Sequence, residues 1–596
     1  MGVKEYFQNR LADNESLNKK FQRLAARVAS IRVIVFVLGM LAFVYFVNER
    51  ELSIALAVLA ISTIVFIVLV VRHNKLKFTR DQYKYLADIN SEEISRLAGD
   101  LSKIDNGAEF LQTDHSYVED LDIFGNHSIF QLLNRTSTFP GKELLANRLK
   151  GENPVVDLQT YQKSVSELSN EPEFGQEYQA LGRHVRASSD DFIKFNNWLV
   201  MPPRVGNTPG IKYLLYILPA LFIASLVVVI VYSITYYALL PLLIINAVFM
   251  VRQFNYAQEV VKSTSASLKM LRSFVHHIEL IEANNFSSQF LSDLAKGFSK
   301  DGQSAKHEIN KIAGLLEQLQ VRENILHVFI NIPFLLDLQW LLRIERWQKQ
   351  NKDNVKEWFE ALAELEVLNS LSAQAFAHDT WAYPKIDSSP YHLESLALGH
   401  PLIMSDQRVA NDLKMDGKGE IILLTGPNMA GKSTFLRTIG VNIIMAQIGG
   451  VVCANEFVFN PEMKVFTAMR IKDDLSESIS SFYAELSRIK YLLELVKQGK
   501  PVLYFLDEIL KGTNSADRHK GAVALMKQLS SLQVSGFIST HDLELGNMSK
   551  ELETVRNFSF ESIITEGRID FDYTIRRGIC QSFNACELMR QMGIQV

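Results

Sequence analysis

One stretch limits the folds open to this chain more than any other: Gly426-Pro427-Asn428-Met429-Ala430-Gly431-Lys432-Ser433. It fills the pattern G-x-x-x-x-G-K-[ST] between the apolar run Glu420-Ile421-Ile422-Leu423-Leu424-Thr425 and the segment Thr434-Phe435-Leu436-Arg437, so the expected context is strand, glycine loop, helix. Glycines at both ends let successive N–H groups turn inward, and the helix start adds the positive end of its dipole. Phosphates are therefore expected along residues 426–434. Lys432 would reach the β- and γ-phosphates of ATP or GTP, and Ser433 would offer its hydroxyl to Mg²⁺. An ordinary glycine turn is the plainer alternative, and a full match in this context disfavours it.

The 596 residues are enough for roughly four domains. Hydrophobic residues at 47% exclude a disordered chain, and a net charge of -4 excludes a strongly polyanion-seeking protein overall, so any nucleic-acid surface must be local. Cys453, Cys580 and Cys586 show no C-x-x-C spacing, which points to a reducing compartment and buried thiols.

Charge is missing from long parts of the chain. Residues 33–48 carry none, Glu49-Arg50-Glu51 interrupts, and residues 52–71 are again uncharged and rich in Ile, Val, Leu and Ala. Each run is near the length of about 20 residues that a bilayer requires, so 33–71 reads as a transmembrane hairpin. A cleaved signal peptide fits poorly, because the first run begins too far in. Lys19, Lys20, Arg23, Arg27 and Arg32 precede the hairpin, Arg72, His73, Lys75, Lys77 and Arg80 follow it, and the connection holds a single Arg. The positive-inside rule then puts both ends in the cytoplasm, with DNA binding by the Lys19–Arg32 cluster as the alternative. No charge occurs between Lys212 and Arg252 either. That segment reads as two short spans turning near Ser233-Ile234-Thr235-Tyr236, with Pro219 and Pro241 as tolerated kinks, or else as a buried soluble hairpin. An even number of spans keeps the phosphate loop on the side of the N-terminus.

Between the hairpins, Ser128 caps a short helix carrying Ile129, Leu132 and Leu133, and Pro140-Gly141 breaks the pattern. Residues 254–376 are expected to be helical throughout. Val328 to Leu342 is apolar, but Asn331, Pro333, Asp337 and Gln339 favour an amphipathic or buried helix, and it is not counted as a fifth span.

From about Trp381 strands alternate with helices, as in a mostly parallel sheet covered on its faces. Pro501-Val502-Leu503-Tyr504-Phe505-Leu506 is a buried strand ending in Asp507-Glu508. One carboxylate can serve the metal shell and its neighbour can polarise the attacking water; Asp507 is assigned to Mg²⁺ and Glu508 to water. Another strand, Ser535-Gly536-Phe537-Ile538-Ser539-Thr540, delivers His541 to the place of a γ-phosphate sensor in an ATPase built like the ABC proteins. An antiparallel pair, Val555 to Ile564 and Arg568 to Ile575, turns at Glu566-Gly567.

Taken together, Thr425 to Thr434, Asp507-Glu508-Ile509-Leu510-Lys511-Gly512-Thr513-Asn514 and Ser539-Thr540-His541 resemble the ATPase domain of the MutS family. His400-Pro401-Leu402-Ile403, Ala361 to Glu366 and Leu121 to Arg135 extend the likeness over most of the chain outside the hairpins and the first hundred residues. The resemblance implies ATP and Mg²⁺ as cofactors and a homodimer in which a serine-bearing segment reaches the partner's γ-phosphate. Ser480-Ser481-Phe482, after Asp473-Asp474-Leu475, occupies that place, with Ser478 where the family usually has glycine. Asn514 and Ser515 resemble the dimer-facing loop, and Tyr573 falls where an aromatic ring stacks on adenine. The first hundred residues hold no Phe-x-Glu mismatch wedge, the DNA clamp between the core helices is not recognisable, and the usual dimerising helices after the ATPase domain are missing, so mismatch recognition is not implied.

The expected architecture is an α/β ABC-type P-loop ATPase domain at the C-terminus, preceded by an all-α MutS-like core interrupted by transmembrane helical hairpins. Its parts are a helical lead (1–32), hairpin 1 (33–71), a helical linker (72–109), the first part of the core (110–210), hairpin 2 (213–251), a lever-like second part of the core (252–380) and the ATPase domain (381–596). The expected function is an ATP-driven dimeric clamp on DNA, anchored as a multi-pass protein in a bacterial-type cell membrane with its N-terminus, core and ATPase domain in the cytoplasm. The competing readings are a membrane-bound ABC-type ATPase acting on protein or membrane partners, and a transporter component. Four spans and the lack of a Leu-Ser-Gly-Gly-Gln stretch count against the transporter.

Overall fold

The uncharged runs near the N-terminus are parts of much longer helices. Helix α1 (Val3–Asn48) and helix α2 (Leu52–Leu97) have 46 residues each, about 70 Å at 1.5 Å per residue, and turn at Glu49 to Glu51. Small residues let them approach: a Cβ on Gly39 would lie 2.6 Å from that of Ser62. Phe36 meets Phe66, Phe21 stacks on Tyr83 at 5.4 Å, and His73 Nδ1 lies 3.2 Å from the Ala25 carbonyl, so the pairing continues well beyond the apolar stretch.

The computed structural model describes residues 2–112, 114–185, 188–207, 209–300, 303–323, 325–470, 481–565 and 568–581. The chain divides into two compact units, Met1–Ser91 with Thr136–Glu143 and Glu173–Val367, and Glu92–Arg135 with Leu144–Pro172 and Leu368–Val596.

The first unit is mostly helical. Helix α3 (Ile211–Val231) and helix α4 (Leu240–Thr264) form the second apolar hairpin. Pro219 lies inside α3, whereas Pro241 occupies the first turn of α4, where the missing N–H has no partner to lose; it starts a helix rather than kinking one. Among the described residues, four helices are long and apolar enough to cross a membrane. The count becomes five if helix α5 (Ile325–Phe334) and helix α6 (Leu336–Ala377), bent by 73° at their junction, are taken as one span. The expectation of unbroken helix over 254–376 is corrected by a small antiparallel pair, Ser299–Lys300 with Gln303–Ser304.

In the second unit, Ser128 and Gln131 form a capping box at the start of Ile129–Leu133, and the buried Glu93 carboxylate bridges Arg96 and Arg135 at 2.6 and 2.8 Å. Two sheets follow. The smaller, of order β1-β5-β2-β3, comprises β1 (Lys385–Ile386), β2 (Leu393–Leu398), β3 (Asn411–Met415) and β5 (Glu456–Phe459). Its β2 pairs antiparallel with both neighbours, so the reading of one mostly parallel sheet missed it. The larger, of order β10-β9-β4-β8-β7-β6, comprises β4 (Ile421–Thr425), β6 (Lys464–Ala468), β7 (Val502–Asp507), β8 (Gly536–Thr540), β9 (Val555–Thr565) and β10 (Arg568–Arg577). All its pairings are parallel except β9 with β10. Every residue of β4 and β8 is buried, as the continuous apolar runs of strands covered on both faces require. Helix α7 (Lys432–Gln447), helix α8 (Ser481–Lys497) and helix α9 (Ser515–Ser531) accompany this sheet, the last two packing Leu492, Leu525, Met526 and Leu529 onto Leu423, Leu506 and Ile538.

Candidate functional site

Strand register gathers the chemistry. Thr540 of β8 pairs with Thr425 of β4, and Ser539 with Asp507 of β7, so the residues that leave these strands emerge side by side at their carboxyl ends. Ligands of open α/β sheets bind there. Leaving β4, the glycine loop turns into α7, with Gly426 at φ 152°, Met429 at +67° and Gly431 at +100°. Gly426 has no room for a side chain, since a Cβ there would sit 2.6 Å from the Phe560 carbonyl oxygen, and Gly431 is tight, since a Cβ there would sit 3.1 Å from the Tyr573 ring.

Lys432 is 4% exposed, and its Nζ donates to the carbonyls of Gly426 and Pro427, each at 2.9 Å. Burial lowers its pKa, while Glu508 and Asp507 nearby oppose that shift. Asp507 Oδ1 accepts from the Ser539 hydroxyl. Glu508 stands at φ +52°, a backbone region that costs a non-glycine residue about 1–3 kcal/mol and that clusters at functional sites. Its Oε1 contacts His541 Nε2, and its Oε2 lies 2.8 Å from Lys511 Nζ. The His541 hydrogen bond, with further help from Lys511, holds the Glu508 pKa down to about 2 against the opposing effect of burial. His541 Nδ1 donates to the Gly426 carbonyl at 2.9 Å.

A cavity of about 400 Å³ opens on this cluster. Loop residues Asn428 to Ser433 line it together with Thr434, Glu508 and Tyr573. Tyr573, at φ +53° and 45% exposed, is held by Asn411 of β3, which donates to the Tyr573 carbonyl at 3.0 Å and accepts from the Ile575 N–H at 2.8 Å. Of the residues singled out from the sequence, the structure thus brings Gly426 to Thr434, Asp507, Glu508, His541 and Tyr573 together. Ser480, with Asp473, Asp474, Leu475 and Ser478, lies outside the described residues.

Three contributors carry no sequence signal. Asn411 is one. Glu485 on α8 is another: its buried carboxylate accepts from the backbone N–H groups of Leu510, Lys511 and Gly512, which closes the loop that bears Glu508. Gly512 belongs to the same arrangement, since a Cβ there would lie 2.6 Å from that of Phe482 in the first turn of α8. Asp120 is the third: it accepts from Thr467 Oγ1 at 2.7 Å and from the N–H groups of Met469 and Arg470 at 3.0 and 2.8 Å, while Asp122 takes Arg470 through both guanidinium nitrogens. Each of these contacts joins residues far apart in the chain.

The geometry defines a class: an α/β domain of mixed sheets with a glycine loop, a buried lysine and paired acids at the carboxyl ends of its parallel strands. Residues 422–594 match the family model of MutS domain V. The DNA mismatch repair protein MutS of Thermotoga neapolitana is 31% identical over 250 residues, covering 42% of this chain and 30% of that protein. That of Thermotoga maritima is 30% identical over 249 residues, covering 41% and 31%, and that of Thermosipho melanesiensis is 30% identical over 246 residues, covering 41% and 29%. Over this C-terminal part, the chain is similar to MutS-family proteins. It spans less than a third of the length of the curated relatives it matches.

Proposed function

We propose that this protein is a membrane-anchored ATPase of ABC/MutS type that works as a homodimer and closes on DNA without reading mismatches. The observation that carries the ATPase reading is that Lys432 and Glu508 line one cavity at the carboxyl ends of the parallel strands, with His541 against Glu508 and Asp507 close enough to act on Lys432. The residues fit a nucleotide with Mg²⁺. Lys432 Nζ rests on loop carbonyls, a partnership that phosphate oxygens can replace, and the loop is bare of side chains at Gly426 and Gly431. Ser433 and Asp507 would hold Mg²⁺, whose charge screens the phosphate oxygens when it is bound. Lys432 orients the β- and γ-phosphates, and Tyr573 offers a face to adenine. Glu508 is ionised but tied to His541 and Lys511, so it can turn to polarise a water only when those contacts loosen. His541, linked to both Gly426 and Glu508, is suited to sense the γ-phosphate. By the family resemblance Ser480 acts in trans at the partner's site.

The apolar hairpins with basic outer flanks support an anchor in a bacterial-type cell membrane with the ATPase domain in the cytoplasm. DNA is the proposed partner because the matched relatives are named as DNA mismatch repair proteins. The slight net acidity, -4, favours as a second reading a protein or membrane partner.

Glu508→Gln tests both halves. The variant should bind ATP and lose turnover; retained turnover refutes the assignment of Glu508. Detergent-solubilised Glu508→Gln protein held with ATP should retain DNA in a salt-sensitive manner, and indifference to every DNA form removes DNA from the reading.

A further inference from the structure

We propose that α5 is a re-entrant membrane segment, seated beside the second hairpin with Val328, Phe329 and Ile330 against lipid acyl chains. The inference rests on the reading of α3 and α4 as membrane spans. Its evidence is depth, read from what α5 touches.

Charges flank the second hairpin at Lys212 and Arg252. At the base of α5, Arg322 lies over the ring of Phe254 at 4.6 Å, two residues past Arg252, where the uncharged stretch of α4 ends. Further along, Asn246 of α4 donates to the Pro333 carbonyl at 3.1 Å, and Asn246 is six residues, about 9 Å of helix, inside Arg252. At the tip, the Phe334 ring meets Phe222 of α3 with centroids 6.0 Å apart, and Phe222 is ten residues, about 15 Å, inside Lys212. Returning along α6, Gln339 Nε2 donates to the Leu215 carbonyl at 3.3 Å, only three residues from Lys212. The path therefore descends to about half of the roughly 30 Å hydrocarbon thickness and rises again. Ten residues of helix, about 15 Å, cannot cross, so α5 enters and the chain leaves on one side.

The break between α5 and α6 is built for a dry setting. Non-helical backbone survives at membrane depth only where its polar groups are satisfied inside the protein. Leu335, at φ +50°, donates its N–H to the Asn331 carbonyl at 2.6 Å; the Asp337 N–H goes to Asn331 Oδ1 at 3.0 Å; Gln339 caps the Phe334 carbonyl at 2.9 Å and Asn246 that of Pro333. The charges are enclosed too: Asp337, 4% exposed, faces His327 at 2.9 Å and Arg322 at 3.6 Å. What α5 leaves outward is apolar, with Phe329 72% and Ile330 53% exposed, and α3 and α4 likewise expose Ile, Leu and Val side chains. Asn331, Pro333, Asp337 and Gln339, which argue from sequence against a span, are the residues that seal this turn.

The test places an environment-sensitive fluorescent amino acid, in the full chain reconstituted into liposomes, in place of Phe329, of the exposed Ile223 on α3, or of the fully exposed Val156, and reads quenching by lipids brominated along the acyl chains. Ile330 serves as a second position should the Phe329 variant misfold. The expected result is loss of emission at 329 matching that at 223, with none at 156. A water-exposed, unquenched probe at 329 beside a quenched one at 223 overturns the re-entrant segment while leaving the second hairpin in the membrane. A dry but unquenched probe at 329 also overturns it and points to a second copy or another protein on this face. An unquenched probe at 223 refutes the reading of α3 as a span, and with it this inference.

Discussion

His541 donates its Nδ1 proton to the Gly426 carbonyl at 2.9 Å while its Nε2 lies against Glu508. One side chain thus ties the phosphate loop to the acid assigned to water. His541→Ala should lower the ATPase turnover number about 10²-fold, the usual size for a positioned proton-bearing group, with a much smaller change in ATP affinity. Measuring kcat and nucleotide Kd separately decides it; parallel loss of both would mean that His541 only supports the loop.

Gly426 faces backbone, which cannot move aside as a side chain can. Gly426→Ala should abolish nucleotide binding, because its Cβ would meet the Phe560 oxygen at 2.6 Å. Gly314→Ala is the contrast: nothing lies within 4 Å of that Cβ, and the site is inside the helix Ala305–Gln320. It should bind nucleotide normally and gain about 0.5–1 kcal/mol of stability, read by denaturant titration.

Glu485 holds the loop after Glu508 by accepting from the backbone N–H groups of Leu510, Lys511 and Gly512. Glu485→Ala should leave those groups without their acceptor and reduce turnover more than nucleotide affinity, whereas Glu485→Gln, which keeps one carbonyl acceptor, should recover part of it. Equal effects of the two substitutions on turnover would remove the positioning role.

Glu366 is buried on α6 and accepts from the N–H groups of Ser137 and Thr138 and from the Thr138 hydroxyl, at 3.3, 3.2 and 2.9 Å. Burial nonetheless raises its pKa from 4.5 to about 7. Between those values the unfolded chain has released this proton and the folded chain has kept it, so this group lowers stability as pH rises from 4.5 to about 7 and adds no further change above. Glu366→Gln should therefore gain on the parent protein across that window and hold a constant offset at higher pH. Thermal unfolding at a series of pH values shows it; an offset independent of pH contradicts the burial effect.

Relations between residues near one another in the chain are legible in the sequence alone. The glycine loop sits between strand and helix, Ser128 caps its helix through Gln131, and the Glu566-Gly567 turn joins strands that pair antiparallel, although the turn itself lies outside the described residues. The apolar runs are equally plain, since periodicity and absence of charge are local properties. The second sheet is not, because β1 and β2 pair with β5 across more than fifty residues of chain that include the glycine loop.

The sequence by itself determined the chemistry available: a lysine and hydroxyls on a glycine loop, two acids after one strand, a histidine after another, and uncharged segments of bilayer length. Only the tertiary structure decided what those groups do to one another. Parallel register set Thr425 beside Thr540 and Asp507 beside Ser539, which put His541 between Gly426 and Glu508; Asn411 and Glu485 entered from other elements to fix Tyr573 and the acid-bearing loop. It also turned Asn331, Pro333 and Gln339 from evidence against membrane contact into the seal of a sharp bend. The reason is the same in each case: a hydrogen bond forms between whichever groups the fold leaves within about 3 Å, and separation along the chain carries no trace of that distance.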